Sequence, residues 1–180
     1  MKQNLKYFYQ NKVVPKLTNQ FQYQNIYTTP QITKIVLNRG LGEKAQNAKI
    51  LDSFLFELTM ITRQRCIVTR TRKAVAGFKI RETVPIGLIV TLRGDRIYNF
   101  IDRLINLALP RIRDFQGISK KNFDGQGNYN FGFKEQLIFP EIRYDQIDQF
   151  CGINLSIITN TKDTDIIVQM FQRLGMPFEK

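Results

Sequence analysis

Apolar and polar positions alternate with period two in some windows of the chain and recur every three to four residues in others. "IGLIVTLRG" (86–94) sets Ile86, Leu88, Val90 and Leu92 to one side and Ile89, Thr91 and Arg93 to the other, the pattern of a half-buried strand. "GINLSIITN" (152–160) repeats it, with Ile153, Leu155 and Ile157 opposite Asn154 and Ser156. "ITKIVLNRG" (32–40), β-branched and closed by Gly, and "CIVTR" (66–70) read as two further strands. Helical spacing places Ile50, Leu51, Phe54, Leu55, Leu58 and Ile61 of "NAKILDSFLFELTMI" (47–61) on one face, behind Asn47 as N-cap. "DRIYNFIDRLINLALP" (95–110) predicts an amphipathic helix capped by Asp95 and stopped by Pro110. "DTDIIVQMFQRLGMP" (163–177) predicts another, closed by Gly175 and Pro177.

Strands with one apolar and one polar face, interspersed with amphipathic helices, make an α+β layer in which helices cover the apolar face and the polar face stays open. With no linker, repeat or low-complexity block, residues 1–180 read as one domain. An open face carrying Thr, Asn, Gln and Arg suits sugars, phosphates and base edges.

Charge narrows the class of partner. The net charge is +12, and it is unevenly placed: residues 1–90 hold 15 Lys/Arg against 4 Asp/Glu, residues 91–180 hold 12 against 11. A polyanion, nucleic acid foremost, is the expected partner of the first half. Cys66 and Cys151 lie in apolar runs without metal-like spacing and read as buried free thiols of a reducing compartment. No apolar stretch approaches the ~18 residues of a membrane span, so no membrane is expected. The N-terminal "MKQNLKYFYQNKVVPKL" has neither the apolar centre of a secretory signal nor the Arg and Ser of a transit peptide.

Two motifs invite other chemistries. "GLGEKA" (40–45) fits the glycine fingerprint of dinucleotide sites, but the strand after it ends in Thr69 and Arg70 where an acid is wanted. The amides of Gly42 to Ala45 remain able to hold a phosphate. "NFGFKEQLIF" (130–139) lacks the basic-Gly pair of an aromatic RNA-recognition strand and has Lys134 where Val belongs, so Phe131 and Phe133 are expected to pack. The chain has no His, no nucleophile elbow and no HExxH; Asp95, Asp102 and Asp114 sit beside Arg at cap or surface spacing. These features predict a protein that is not an enzyme, with no cofactor and no metal site.

"RTRKAVAGFKIRETVP" (70–85) stands apart. From Arg63 to Arg81 the chain carries seven basic residues and no acid before Glu82. The run joins two strands and is longer than a hairpin needs. Gly77 and Phe78 make a tip whose ring can lie on a sugar or base, flanked by Arg70, Arg72, Lys73, Lys79 and Arg81 as phosphate contacts.

"RKAVAGFKIR", "PIGLIVTLRG", "LPRIRDFQG", "FDGQGNYNFG" and "EQLIFPEI" follow one another in an order that resembles the bacterial-type large-subunit ribosomal protein L-five family, which binds 5S rRNA. "YFYQNKVVPKL", "TKIVLNRGLGE" and a C-terminal "PF" extend the resemblance over nearly the whole chain. The resemblance implies a single curved antiparallel sheet with helices on one face and an open polar face for RNA. It implies a place in the central protuberance of the large subunit, against 5S rRNA, large-subunit rRNA and neighbouring large-subunit proteins. By motif the rRNA contacts are Asn38 and Arg39 in "LNRG", Gln64 and Arg65 in "TRQRC", and Thr91 and Arg93 in "VTLRG". The loop around 73–82, with Arg72, Lys73, Gly77, Phe78, Lys79 and Arg81, would meet peptidyl-site tRNA. The segment "RIRDFQGISKKNFDGQGNYNFG", with Arg111, Arg113, Asp114, Lys120 and Lys121, would form a bridge to a small-subunit head protein.

One position departs from the family. Gly or Glu usually precedes the signature Gln, and here Arg63 stands there; in a left-handed conformation it costs about 1 kcal/mol. A bias to Ile (22 residues) and to Asn plus Gln (28) points to an AT-rich plastid genome, with a bacterial one as alternative. Two other classes stand beside the ribosomal reading: a nucleotide-dependent enzyme built on Gly40–Ala45, and a non-ribosomal RNA-binding regulator.

Overall fold

The computed structural model describes residues 5–78, 80–144, 147 and 149–179. Its strands, β1 (Ile32–Gly40), β2 (Ile67–Arg70), β3 (Pro85–Leu92), β4 (Tyr129–Phe133) and β5 (Ile153–Thr159), form an open antiparallel sheet in the order β2-β3-β1-β5-β4. Its α-helices are α1 (Leu5–Phe8), α2 (Val14–Phe21), α3 (Ala48–Thr62), α4 (Asp95–Arg103) and α5 (Thr164–Leu174), so the α+β class holds. Among the described residues no helix is long and apolar enough to cross a membrane. The chain separates into two compact units, one of residues 1–35, 93–130 and 156–180, the other of 36–92 and 131–155.

In the first unit, a π-helical turn at Tyr9–Val13 carries α1 into α2, and Val13 and Leu17 are buried. The Tyr9 hydroxyl donates to the Pro30 carbonyl at 2.5 Å, and burial drives its pKa well above the usual tyrosine range. α4 begins differently from the sequence expectation. Gly94, at φ 62°, occupies the N-cap, and Asp95 is the first helical residue with no capping bond. Asp95 there favours the positive helix end and pairs with Lys6 at 2.6 Å. Nor does Pro110 end the helix abruptly. α4 loosens into a π turn (Leu104–Ala108) and a 3-10 turn (Leu109–Arg111), the ladder adjusting ahead of a residue without an N–H. α5 ends as expected: Gly175, left-handed at φ 95°, lets the Met176 N–H reach back to the Phe171 carbonyl at 2.9 Å.

The loop between Phe123 and Tyr129 is held by Asp124. Its Oδ1 accepts from the amides of Gln126 (2.9 Å) and Asn128 (3.0 Å), and its Oδ2 accepts from Asn128 Nδ2 (2.8 Å). The Asn128 side chain, followed by the loop amides, holds the Asp124 carboxyl below its ordinary pKa. A depressed folded pKa contributes order above the unfolded value, and that contribution fades as pH falls through the folded one. Gly127 in this loop has no room for a side chain: at its φ of 82°, a Cβ would overlap the Thr161 carbonyl oxygen.

In the second unit, α3 begins as the sequence predicts, with Asn47 Oδ1 accepting from the Lys49 amide at 3.1 Å. Its buried face is narrower than the expected stripe. Phe54, Glu57, Leu58, Ile61 and Thr62 are buried, whereas Ile50, Leu51 and Leu55 are half-buried. Alternation is as predicted in β3, where Leu88, Val90 and Leu92 are buried between half-exposed Ile89 and Thr91; β1 alternates as well, with Leu37 and Arg39 buried between half-buried Val36 and exposed Asn38 and Gly40. Phe133 packs edge-on against Phe131 at 4.6 Å and against Phe139 at 5.5 Å, the packing role expected of that segment. Cys66 is buried, and desolvation raises its pKa, with the Thr59 hydrogen bond and the Arg39 charge opposing more weakly. Cys151 is only half-buried, in a segment whose neighbours Phe150 and Gly152 are exposed, which corrects the reading of both thiols as core residues.

Gly127→Ala is expected to lower unfolding free energy by about 2–4 kcal/mol, because backbone and not a flexible side chain blocks the Cβ; urea denaturation measures it. Native Cys66 should alkylate far more slowly at neutral pH than in urea, with the rate rising as pH climbs into the alkaline range.

Candidate nucleic-acid interface

Period two dictates what the second unit presents. α3 packs over the side of β1 that carries Leu37 and Arg39, so Asn38, between them, faces away from the helix. On β3 the same parity leaves Thr91 half-exposed, and on β5 it leaves Asn154 exposed between buried Ile153 and Leu155. β2 adds Ile67 opposite Ile89 and Thr69 opposite Gly87. Gly87 is required where β3 runs beside β1: a Cβ would lie 2.7 Å from the Arg39 carbonyl oxygen. The open side of these strands thus carries the amides of Asn38 and Asn154 and the hydroxyls of Thr69 and Thr91 beside apolar Ile67 and Ile89.

Arg39 is not part of it, and its assignment as an rRNA contact is corrected. The side chain is 0% exposed. Its Nη1 donates to Glu57 Oε2 at 2.7 Å, its Nη2 to the Cys151 carbonyl at 3.3 Å, and its guanidinium lies 4.7 Å from the Phe54 ring centre. Neighbours in a strand point to opposite faces, so "LNRG" can offer Asn38 or Arg39 to a ligand but not both. Glu57 carries the matching sequence signal, an acid within the apolar face of a helix.

Gln64 follows Arg63, which ends α3 at φ 55° with its amide donating to the Thr59 carbonyl at 2.7 Å. The left-handed turn considered for Arg63 is the one adopted. It directs Gln64 Nε2 to the Thr91 carbonyl at 3.1 Å, which ties the helix end to β3. Arg65 is exposed beside it, and Arg93, one residue beyond β3, is exposed as well.

The basic run 71–84 is a hairpin with two sets of rungs. At its base the Thr71 amide donates to the Val84 carbonyl (3.0 Å) and the Thr83 amide to the Thr71 carbonyl (3.1 Å). Near its end Val75 and Ile80 exchange backbone bonds of 3.0 and 3.3 Å. Ala76–Phe78 form a 3-10 turn at the tip, where Phe78 is 71% exposed. Arg72, Lys73, Gly77 and Arg81 are exposed; Lys79 lies outside the described residues. Arg70 spends one donor internally, Nη1 to the Thr83 carbonyl at 3.0 Å.

In the first unit, Arg111, Arg113, Asp114, Lys120 and Lys121 are all exposed. Arg113 and Asp114 approach within 3.9 Å, and Lys120 and Lys121 start a 3-10 turn in which Ser119 accepts from the Lys121 amide at 3.4 Å. "GLGEKA" does not open a long helix. It forms one 3-10 turn, Gly42–Gln46, in an antiparallel sheet, whereas a dinucleotide fingerprint needs a parallel βαβ crossover. That overturns the reading of Gly40–Ala45 as an enzyme's nucleotide site.

Two family models match the chain: "Ribosomal protein L5" over residues 25–81 and "ribosomal L5P family C-terminus" over 85–178. The large ribosomal subunit protein uL5c of Nephroselmis olivacea is 60% identical over 178 residues, 99% of this chain and 97% of the relative. The large ribosomal subunit protein uL5 of Microcystis aeruginosa is 59% identical, covering 99% of each chain. The uL5c of Chlorella vulgaris is 55% identical over 179 residues, again 99% of each.

Arg39→Ala should destabilise the protein by about 3–5 kcal/mol by leaving Glu57 buried without its cation, and Arg39→Met with Glu57→Leu should recover most of that loss. Chemical denaturation of both variants checks it.

Proposed function

The chain belongs to the ribosomal protein L5 family, and from that membership we propose that it is a structural constituent of the large ribosomal subunit that binds 5S rRNA through its open sheet face and peptidyl-site tRNA through the hairpin 71–84. The observation that carries the reading is the combination, within one unit, of an amide- and hydroxyl-bearing strand surface with a laddered hairpin free of acids from Thr71 to Arg81. Asn38, Thr91 and the exposed Arg65 supply hydrogen bonds and charge to an RNA backbone, and Arg93 adds a cation one residue beyond β3. Gln64 contributes by fixing the end of α3 against β3 through its bond to the Thr91 carbonyl. In the hairpin, Phe78 offers a stacking surface, and Arg72, Lys73 and Arg81 surround it with charge.

Exposed Arg111, Arg113, Asp114, Lys120 and Lys121 are the proposed surface for a protein bridge to the small-subunit head, in the half of the chain where basic and acidic residues nearly balance. The 180 residues are proposed to act as one domain, a reading supported by β1, β4 and β5 each having residues in both units. The plastid ribosome is the proposed location, supported by relatives named uL5c and by the Ile, Asn and Gln bias; relatives named uL5 support a bacterial ribosome equally in sequence.

The test is a titration with 5S rRNA against an unrelated structured RNA at two salt concentrations. Preference for 5S rRNA should survive added salt, since backbone attraction alone falls away with it. Asn38→Ala and Thr91→Ala should each weaken 5S binding by about 1–3 kcal/mol, whereas Arg72→Ala with Arg81→Ala should spare 5S rRNA and weaken tRNA association. Unchanged 5S affinity in both sheet variants removes the sheet face from the site.

A further inference from the structure

The base of the basic hairpin contains a conformation that its residue disfavours. Thr83 has φ 63°, in the left-handed region where a β-branched residue is strained. It persists because its surroundings hold it. The Thr83 amide donates to the Thr71 carbonyl at 3.1 Å, and Arg70 Nη1 donates to the Thr83 carbonyl at 3.0 Å. The Thr71 hydroxyl closes the arrangement: it accepts from the Val84 amide at 3.1 Å and donates to the Arg81 carbonyl at 2.5 Å. One side chain on the outgoing strand thus reaches backbone groups at 81 and 84 on the returning strand, on both sides of the strained residue. The pairing of β2 with β3 also slips between Thr69 and Arg70, which pairs with Pro85, and such irregularities bend a strand and re-aim the residues beyond it.

We propose that Thr71 is a positioning residue: its hydroxyl, clasping the Arg81 carbonyl and the Val84 amide around left-handed Thr83, presets the direction in which the hairpin leaves the sheet, so that the tip meets its RNA already formed. The inference rests on the reading of the hairpin as the tRNA contact. The physical gain is in preorganisation. A loop whose binding-competent form is only partly populated binds more weakly by that fraction, and ordering its side chains and backbone on contact costs further free energy. An exposed aromatic and a set of long cations at a tip gain most from a fixed base, because a small rotation there moves the tip by several ångströms.

The full chain is tested as Thr71→Val, which keeps shape and β-propensity but removes the hydroxyl, and as Thr71→Ser, which restores it. Hydrogen exchange on the free proteins reads the Val84 amide and the rungs at Val75 and Ile80. 5S rRNA affinity, thermal midpoint and peptidyl-site tRNA affinity in rebuilt ribosomes are read beside it. The expected result for Thr71→Val is faster exchange at Val84 and the tip rungs and about three- to tenfold weaker tRNA binding, with 5S affinity unchanged and Thr71→Ser restored to wild type. If Thr71→Val loosens the hairpin but tRNA affinity stays at the wild-type value while Arg72→Ala with Arg81→Ala lowers it, the clasp is refuted and the hairpin reading stands. If 5S affinity falls as far as tRNA affinity, Thr71 merely supports the fold and the proposal is overturned. If neither the clasp variant nor the charge variants affect tRNA, the hairpin reading fails, and the clasp with it.

Discussion

A guanidinium cut off from water lies at the junction of β1, α3 and the segment before β5, and the candidate surface depends on how it is satisfied. Arg39 meets Glu57, the ring of Phe54 and the carbonyl of Cys151 at once. Desolvating two charges costs several kcal/mol each, and their attraction roughly offsets this where the geometry is good. The pair therefore adds little to net stability, but any displacement of α3 along β1 would separate Arg39 from Glu57 and strand two buried charges. The seating of α3 decides which side of β1 is closed, and hence that Asn38 is offered outward.

The rest of the unit reinforces the same choice with backbone. Gly87 lets β3 run beside β1 where any side chain would strike the Arg39 carbonyl. Gln136, itself fully buried, donates to the Gln149 carbonyl and accepts from the Cys151 amide, both at 2.8 Å. It holds the segment whose Cys151 carbonyl Arg39 uses. The left-handed Arg63 turn costs about 1 kcal/mol relative to glycine, offset by the Gln64 bond it makes possible to the Thr91 carbonyl. The pattern recurs at Thr83, where strain is confined to the base of a segment that must point in one direction.

Electrostatics and hydrogen-bonding geometry divide the work. The strands present the short, uncharged donors and acceptors of Asn38, Thr69, Thr91 and Asn154 among the apolar side chains of Ile67 and Ile89. The hairpin presents long cationic side chains around one exposed ring, suited to a backbone of phosphates whatever its sequence.

Period and punctuation in the sequence were enough for most of the architecture. The bounds of β1, the sidedness of β3 and β5, the Asn47 cap and the Gly175 stop all come from local rules, because each depends on residues within one or two turns of chain. So did the open polar face and the exposed tip at Gly77 and Phe78. The resemblance took Asn38 and Arg39 together from "LNRG", although neighbours in a strand face opposite ways. That Arg39 is buried follows only from Glu57, 18 residues away, being carried under β1 by the packing of α3. Likewise the Thr71 clasp around Thr83 and the half-exposure of Cys151 are set by how separate segments meet. Local periodicity fixes which way a side chain points; what it meets there is decided by the tertiary structure, because the partner arrives from elsewhere in the sequence.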